Sequence, residues 1–179
     1  ANGQRGYTGL LVETAAISDI PDWKEMLNWG MDTPEGHPLR KKYPHRFHDN
    51  VFPEDLVPGI TKTLEKFHDE LLKLQLRFLR IIALGLGCHE NFFDSCVPGG
   101  ATLSRAIHYP EMILAPSDSH VWADEHGDIN LITALPRSTA KGLQIKTEDG
   151  WIDALPPDNH LIINTGIMLE HLSNGVVPT

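Results

Sequence analysis

The apolar residues Ile60, Leu64, Phe67, Leu71, Leu74, Phe78 and Ile81 follow one another at alternating steps of four and three. A stripe of that period lines one side of an α-helix, so the segment is expected to be a helix packed through that side. Pro58-Gly59 stand before it and Gly85 and Gly87 after it. The helix is therefore expected to begin at Ile60 and to end near Gly85 or Gly87, where glycine accepts a left-handed cap. Beyond Gly100 the texture changes to short β-prone runs parted by turn residues: Leu103 to Tyr109, Ile129 to Leu135, Gly142 to Lys146, Trp151 to Ile152 and His160 to Asn164. One long helix followed by many short strands predicts an α+β fold, a β-sandwich with helical support on one side.

Residues 1–58 carry Pro21, Gly30, Pro34, Gly36, Pro38, Pro44 and Pro53 among other breakers, and they read as loops with short elements between them. No repeat or linker divides the chain, so 1–179 is read as one domain: a loop-rich segment to residue 58, the helix over 59–87 and strands over 101–179. The formal charge of -9 repels a phosphate backbone and argues against nucleic acid as a partner. The apolar stretch around Leu76 to Leu86 is broken by Arg77 and Arg80 and is too short to span a bilayer, so no membrane partner is expected. Cys88 and Cys96 are the only two cysteines. Their spacing fits neither a disulfide framework nor a zinc site, and free thiols in a reducing cytoplasm are the simpler reading.

The stretch with chemical content is His126-Gly127-Asp128. In an extended strand, residues two apart project to the same face, so this imidazole and carboxylate can grip one ion. A third ligand, a histidine from a distant strand, would complete a facial triad, which leaves positions open on Fe(II). The spacing alone does not separate a metal pair from a surface histidine beside a turn aspartate, which is the commoner arrangement. His37, His45 and His48 with Asp49 lie among Pro38, Pro44 and Arg46 and read as a solvated loop.

Several further patches share a pattern with one known family. They are Arg5-Gly6-Tyr7-Thr8-Gly9; Ile81 to Gly87 followed by Asn91-Phe92-Phe93; Leu103-Ser104-Arg105-Ala106-Ile107-His108-Tyr109-Pro110; His126 to Thr133; Gly142-Leu143-Gln144-Ile145; and Ile163 to Leu169. Six patches in this order resemble the isopenicillin N synthase-like oxygenases. The resemblance implies a double-stranded β-helix, or jelly-roll, core that is incomplete at its C-terminal end. It also implies Fe(II) and the co-substrate 2-oxoglutarate, with His126 and Asp128 as the first two iron ligands and Tyr109 and Arg105 contacting the co-substrate. The family's third ligand, a His in a Ser/Thr-x-His-Arg-Val segment, and the Arg that pairs with the far carboxylate of 2-oxoglutarate are expected past Thr179, and a further segment is expected before Ala1. Two departures stand out. Ile107 stands where plant members carry Asn, and Ile167 where the family carries Asp.

The implied reaction is oxidation of a small organic substrate by O2, by hydroxylation or desaturation, with succinate and CO2 as co-products. Arg5, Tyr7 and Asn28, with Trp23 and Trp29 nearby in sequence, are candidate substrate contacts, since binding sites combine aromatic walls with a few polar anchors. Three alternatives stay open. One is an iron oxidase of the same family that does not use 2-oxoglutarate, and another is a cupin-like zinc or binding module built on His120, His126 and Asp128. The last is a non-catalytic module that keeps the fold without the metal. His160 and His171 are the downstream histidines that could substitute as a third ligand, and both are read as structural or solvated.

Overall fold

The computed structural model describes residues 5–16, 18–97 and 99–179. Its strands and α-helices, in chain order, are β1 (Gly6–Thr8), β2 (Glu25–Gly30), α1 (Pro38–Lys42), α2 (Ile60–Gly85), β3 (Leu103–His108), β4 (Ile132–Pro136), β5 (Gln144–Thr147), β6 (Gly150–Asp153), β7 (Leu161–Thr165) and α3 (Ile167–Leu172). The class is α+β, as the sequence pattern predicts. The chain divides into two units, one running to Leu84 and resuming over Cys88–His126, the other made of Gly85–Gly87 and Gly127–Thr179.

The first unit is built on an antiparallel sheet in the order β1-β2-β3. Its central strand, β2, lies in the segment read as mostly loop, and it pairs on both edges, with Asn28 opposite both Gly6 and Arg105. Alternation along β2 sends Glu25, Leu27 and Trp29 to one face and Met26, Asn28 and Gly30 to the other. Helix α2 packs on the Trp29 face. The indole Nε1 donates to the Leu64 carbonyl at 2.9 Å, the ring lies 6.4 Å from Phe67, and Trp29 is 1% exposed. The last residue of the strand is Gly30, where nothing larger fits: a Cβ would stand 1.8 Å from Arg5 Nη1 and 2.2 Å from the Thr102 carbonyl. Beside it, the Asn50 amide accepts from the Gly30 N–H at 3.0 Å and donates to its carbonyl at 2.8 Å, replacing a strand neighbour.

Helix α2 begins and ends where its flanking residues predict. Glu54 caps the start, its carboxylate accepting from the Gly59 and Thr61 N–H groups and from the Thr61 hydroxyl. At the other end Gly87 adopts a positive φ of 72° and the Cys88 N–H returns to the Ala83 carbonyl at 2.9 Å. The buried line differs from the expected one. His68, Leu79 and Ala83 are the buried residues of α2, whereas Phe67 and Ile81 from the apolar stripe are 42% and 63% exposed. The helix is thus rotated away from its apolar axis. The physical reason is polar: the buried His68 ring bridges Ser104 Oγ at 2.8 Å and Thr102 Oγ1 at 3.1 Å, and this anchors α2 to β3 and its lead-in.

That bridge makes stability depend on pH. Burial holds the His68 imidazole below its ordinary range, Asp69 opposes this, and the charge of Arg5 adds to the depression. The folded state therefore binds fewer protons there than the unfolded chain. Its contribution is complete above the unfolded value near ~6.5 and is lost as pH falls through the window below that value toward the folded one. The urea midpoint is expected to fall between about pH 7 and 5 more steeply in the native protein than in His68→Gln. Equal slopes would show that His68 is not the titrating group.

The second unit holds an antiparallel β4–β7 ladder, from Ile132 opposite Thr165 to Pro136 opposite Leu161, and a β5–β6 hairpin between them in sequence. Strand β4 starts at Ile132 rather than at the expected Ile129. The backbone before it is already paired with the start of α3: the Asp128, Asn130 and Leu131 carbonyls accept from the Ile167, Met168 and Gly166 N–H groups at 2.7, 3.2 and 3.0 Å. Among the described residues, no helix is long and apolar enough to cross a membrane, and neither Cys88 nor Cys96 enters a disulfide.

Candidate metal centre

Asp128 and His126 lie either side of the boundary between the two units, and each is held by its own surroundings. Asp128 is fixed at one carboxylate oxygen. Oδ2 accepts from the Asn164 amide at 2.8 Å and from the Thr133 hydroxyl, and that hydroxyl in turn accepts from Asn130 Nδ2 at 2.9 Å. Asn164 comes from β7 and Thr133 from β4, which face each other in the ladder. The backbone is fixed as well, because the Asp128 carbonyl takes the first N–H of α3. Gly166 permits that turn: a Cβ on it would stand 2.2 Å from the Asn130 carbonyl oxygen. Ile167, where the resemblance expects an acidic residue, contributes its backbone N–H to Asp128 and places its side chain against Gly127.

His126 closes the first unit. Its Nδ1 lies 2.7 Å from the Asp124 carbonyl. A carbonyl only accepts, so Nδ1 carries the proton and Nε2 presents its lone pair. No hydrogen bond to Nε2, or to Asp128 Oδ1, occurs among the described residues. The donor set suits iron, with one imidazole nitrogen and one carboxylate oxygen each oriented through its other atom, as ligands of a metal commonly are. Among the described residues no group of three or more His, Cys, Asp or Glu side chains could hold a metal ion. His120, one member of the zinc alternative, is engaged through Nδ1 with Ser117 Oγ at 2.8 Å.

Arg105, Tyr109 and His126 border one polar cluster in the first unit, built from residues that the sequence did not single out. Lys24, 7% exposed, lies 2.7 Å from Asp22 Oδ2 and 2.9 Å from Glu13 Oε2, and Asp22 is 2% exposed. Arg105 lies 3.4 Å from Glu13 Oε1. Burial pushes the Lys24 ammonium down, but Asp22 and Glu13 outweigh it and hold the group above its ordinary value. Burial likewise pushes the Glu13 carboxyl up, while Lys24, Arg105 and His126 more than offset this and hold it low. Burial also raises the Tyr109 phenol, and the charges of Lys24, Asp22, Arg105 and Glu13 all reach it. Its ring leans on Trp122 with centroids 6.3 Å apart. The only sequence signal for this cluster is the Asp-x-Lys spacing just before β2, which looks like an ordinary solvated pair because lysine is seldom buried.

The three candidate substrate residues separate. Asn28, 3% exposed, donates to Thr8 Oγ1 at 3.3 Å and keeps a buried Oδ1 without a hydrogen-bond partner. Arg5 is buried against Gly30, and its Nη1 also lacks one. Burial holds its guanidinium below the ordinary value, against the pull of Asp32. Tyr7 belongs to the opposite sheet face from Asn28, where its hydroxyl meets Glu25, which also takes His108 Nδ1 at 2.7 Å. Trp23 and Trp29 are core residues. His48 is the loop histidine with a buried, unpartnered Nε2, while His37 Nδ1 accepts from the Leu39 N–H at the start of α1.

Residues 101–179 match the family model of the 2OG-Fe(II) oxygenase superfamily. The chain is 34% identical to isopenicillin N synthase of Hapsidospora chrysogena over 154 residues, covering 79% of this chain and 45% of that protein. Among solved structures it is similar to a 2OG-Fe(II) oxygenase family protein from Caulobacter crescentus, with a TM-score of 0.80 and 36% identity over 99% of this chain and 55% of that one. It is also similar to a full-length Neurospora crassa protein solved in complex with alpha-KG, with a TM-score of 0.77 and 31% identity over 99% of this chain and 57% of that one. The chain spans about half the length of the curated relatives it matches.

Proposed function

Because the chain belongs to the 2OG-Fe(II) oxygenase superfamily, we propose that it carries the iron-binding part of an oxygenase that oxidises a small organic substrate. His126 and Asp128 are proposed as two iron ligands within a jelly-roll core. The observation that carries this reading is the way each ligand is held. His126 is tied through Nδ1 to the Asp124 carbonyl and Asp128 through Oδ2 to Asn164 and Thr133, and each keeps its other donor atom for a metal.

The chemistry supplied by bound Fe(II) and 2-oxoglutarate is the coupled oxidation of a C–H bond, with O2 consumed and succinate and CO2 released. The protein's part is to hold and orient. Asn164 and Thr133 keep Asp128 directed, because hydrogen bonds donated to a carboxylate are among the stronger ones a side chain makes. The Asp124 carbonyl keeps the His126 proton on Nδ1. Arg105 and Tyr109 are proposed to face the co-substrate, and Asn28 and Arg5 to supply polar anchors for the substrate. Tyr7, on the other face of the sheet, is left out of that set.

Succinate release by the whole protein is expected to require both Fe(II) and 2-oxoglutarate. Turnover with Fe(II) alone would favour the oxidase alternative, and no turnover across a panel of small substrates would favour the non-catalytic one. Support for Asp128 can be tested separately: Asn164→Ala is expected to weaken Fe(II) binding about 10- to 100-fold, the usual effect of losing a hydrogen-bond partner of a metal ligand. Anaerobic titration measures it, and unchanged affinity would remove Asn164 from the site.

A further inference from the structure

A chain of contacts leads away from His126 to residues about a hundred positions earlier. Its Nδ1–H donates to the Asp124 carbonyl at 2.7 Å. The N–H of Asp124 donates to Asp22 Oδ1 at 3.1 Å, and Asp22 Oδ2 lies 2.7 Å from Lys24 Nζ. Lys24 also reaches Glu13 at 2.9 Å, and the Asp22 N–H donates to the Glu13 carbonyl at 2.9 Å, which closes the group on itself. Between Asp22 and Lys24, the Trp23 N–H donates to the Val121 carbonyl at 2.8 Å, and its indole Nε1 to the Glu111 carbonyl at 3.2 Å. Residues 121–126 are thus registered against residues 22–24 by two backbone-directed bonds, one from Trp23 and one to Asp22.

We propose that Asp22 and Lys24 are positioning residues for the metal ligand His126, acting through the Asp124 backbone. This inference rests on the reading of His126 as an iron ligand. A buried ion pair is a poor source of stability, because desolvating two charges costs about as much as their attraction returns. A carboxylate 2% exposed and an ammonium 7% exposed therefore call for another explanation, and geometry supplies one. Asp22 has two oxygens in this arrangement, one held by Lys24 and the other fixing the N–H of the residue whose carbonyl orients the His126 ring. Lys24 sets where Asp22 points, Asp22 sets where the Asp124 backbone lies, and that backbone sets the tautomer and tilt of His126. Such outer partners commonly determine how well a first ligand binds.

The test compares Asp22→Ala, Asp22→Asn and Lys24→Met in the whole protein, with Fe(II) affinity measured anaerobically and thermal midpoints measured alongside. At temperatures where every variant is folded, Asp22→Ala is expected to weaken Fe(II) binding about 10-fold or more. Asp22→Asn, which keeps an oxygen for the Asp124 N–H, is expected to recover most of that loss. Lys24→Met is expected to weaken binding several-fold, and it keeps the test open if Asp22→Ala does not fold. A purely structural role predicts lower midpoints with unchanged Fe(II) affinity in the folded variants, and that result would overturn the proposal while leaving His126 as a ligand. Absence of Fe(II) binding by the unsubstituted protein would overturn the ligand reading itself, and this inference with it.

Discussion

His126→Ala is expected to abolish measurable Fe(II) binding while leaving the fold intact. The imidazole is exposed, and its one described hydrogen bond is to the Asp124 carbonyl. Removing it therefore costs little stability, since surface substitutions away from special features usually change it by less than about 0.5 kcal/mol. On the proposed reading Fe(II) loses a direct ligand, which should exceed the roughly 10- to 100-fold loss expected for an outer partner such as Asn164. Equilibrium binding of Fe(II) under anaerobic conditions, with a far-ultraviolet circular dichroism spectrum as the folding control, measures both halves of the expectation. Affinity within a few-fold of the unsubstituted protein would exclude His126 as a ligand.

Trp29→Ala carries the largest expected effect on stability. The side chain is 1% exposed, fills the contact between β2 and α2 beside Phe67, and donates to the Leu64 carbonyl at 2.9 Å. Truncation leaves a cavity where a large aromatic stood, at a cost of about 3–5 kcal/mol. It also removes the donor held by a helix carbonyl, worth about 1 kcal/mol more. Against a total stability of about 5–15 kcal/mol, this brings the first unit close to its unfolding threshold. Chemical denaturation followed by tryptophan fluorescence is expected to show a midpoint lowered accordingly. A shift equivalent to less than about 1 kcal/mol would mean that the β2–α2 contact does not hold the sheet and helix together.

Some of this architecture can be read in the residues and some cannot. Helix α2 is legible because its signals are local: Pro58-Gly59 before it, Gly87 after it and a helical period between them. Its orientation is not, because the side that packs deepest is chosen by His68 finding Ser104 and Thr102, residues more than thirty positions away. Strand β2 is hidden by Pro21 and Gly30, which look like breakers. In the structure Pro21 precedes the strand, and Gly30 is its last residue, at a position where Arg5 and Thr102 leave no room for a side chain.

The candidate site divides in the same way. His126-Gly127-Asp128 is visible as a ligand spacing, but the expected strand around it is absent, since the Asp128, Asn130 and Leu131 carbonyls pair with the Ile167, Met168 and Gly166 N–H groups instead. The partners of Asp128 come from β4 and β7, and the supports of His126 come from residues 13–24. No periodicity marks such pairings, because they arise only when distant segments meet. Nearness in sequence groups Arg5, Tyr7 and Asn28, and strand alternation parts Tyr7 from Asn28.

Joint binding of iron by His126 and Asp128 is checked by anaerobic addition of Fe(II) and 2-oxoglutarate to the whole protein and to Asp128→Ala, with the visible spectrum recorded. A weak charge-transfer band is predicted in the unsubstituted protein and is predicted to be missing from the variant. A band of equal intensity in both, or none in either, would contradict joint ligation by these two residues.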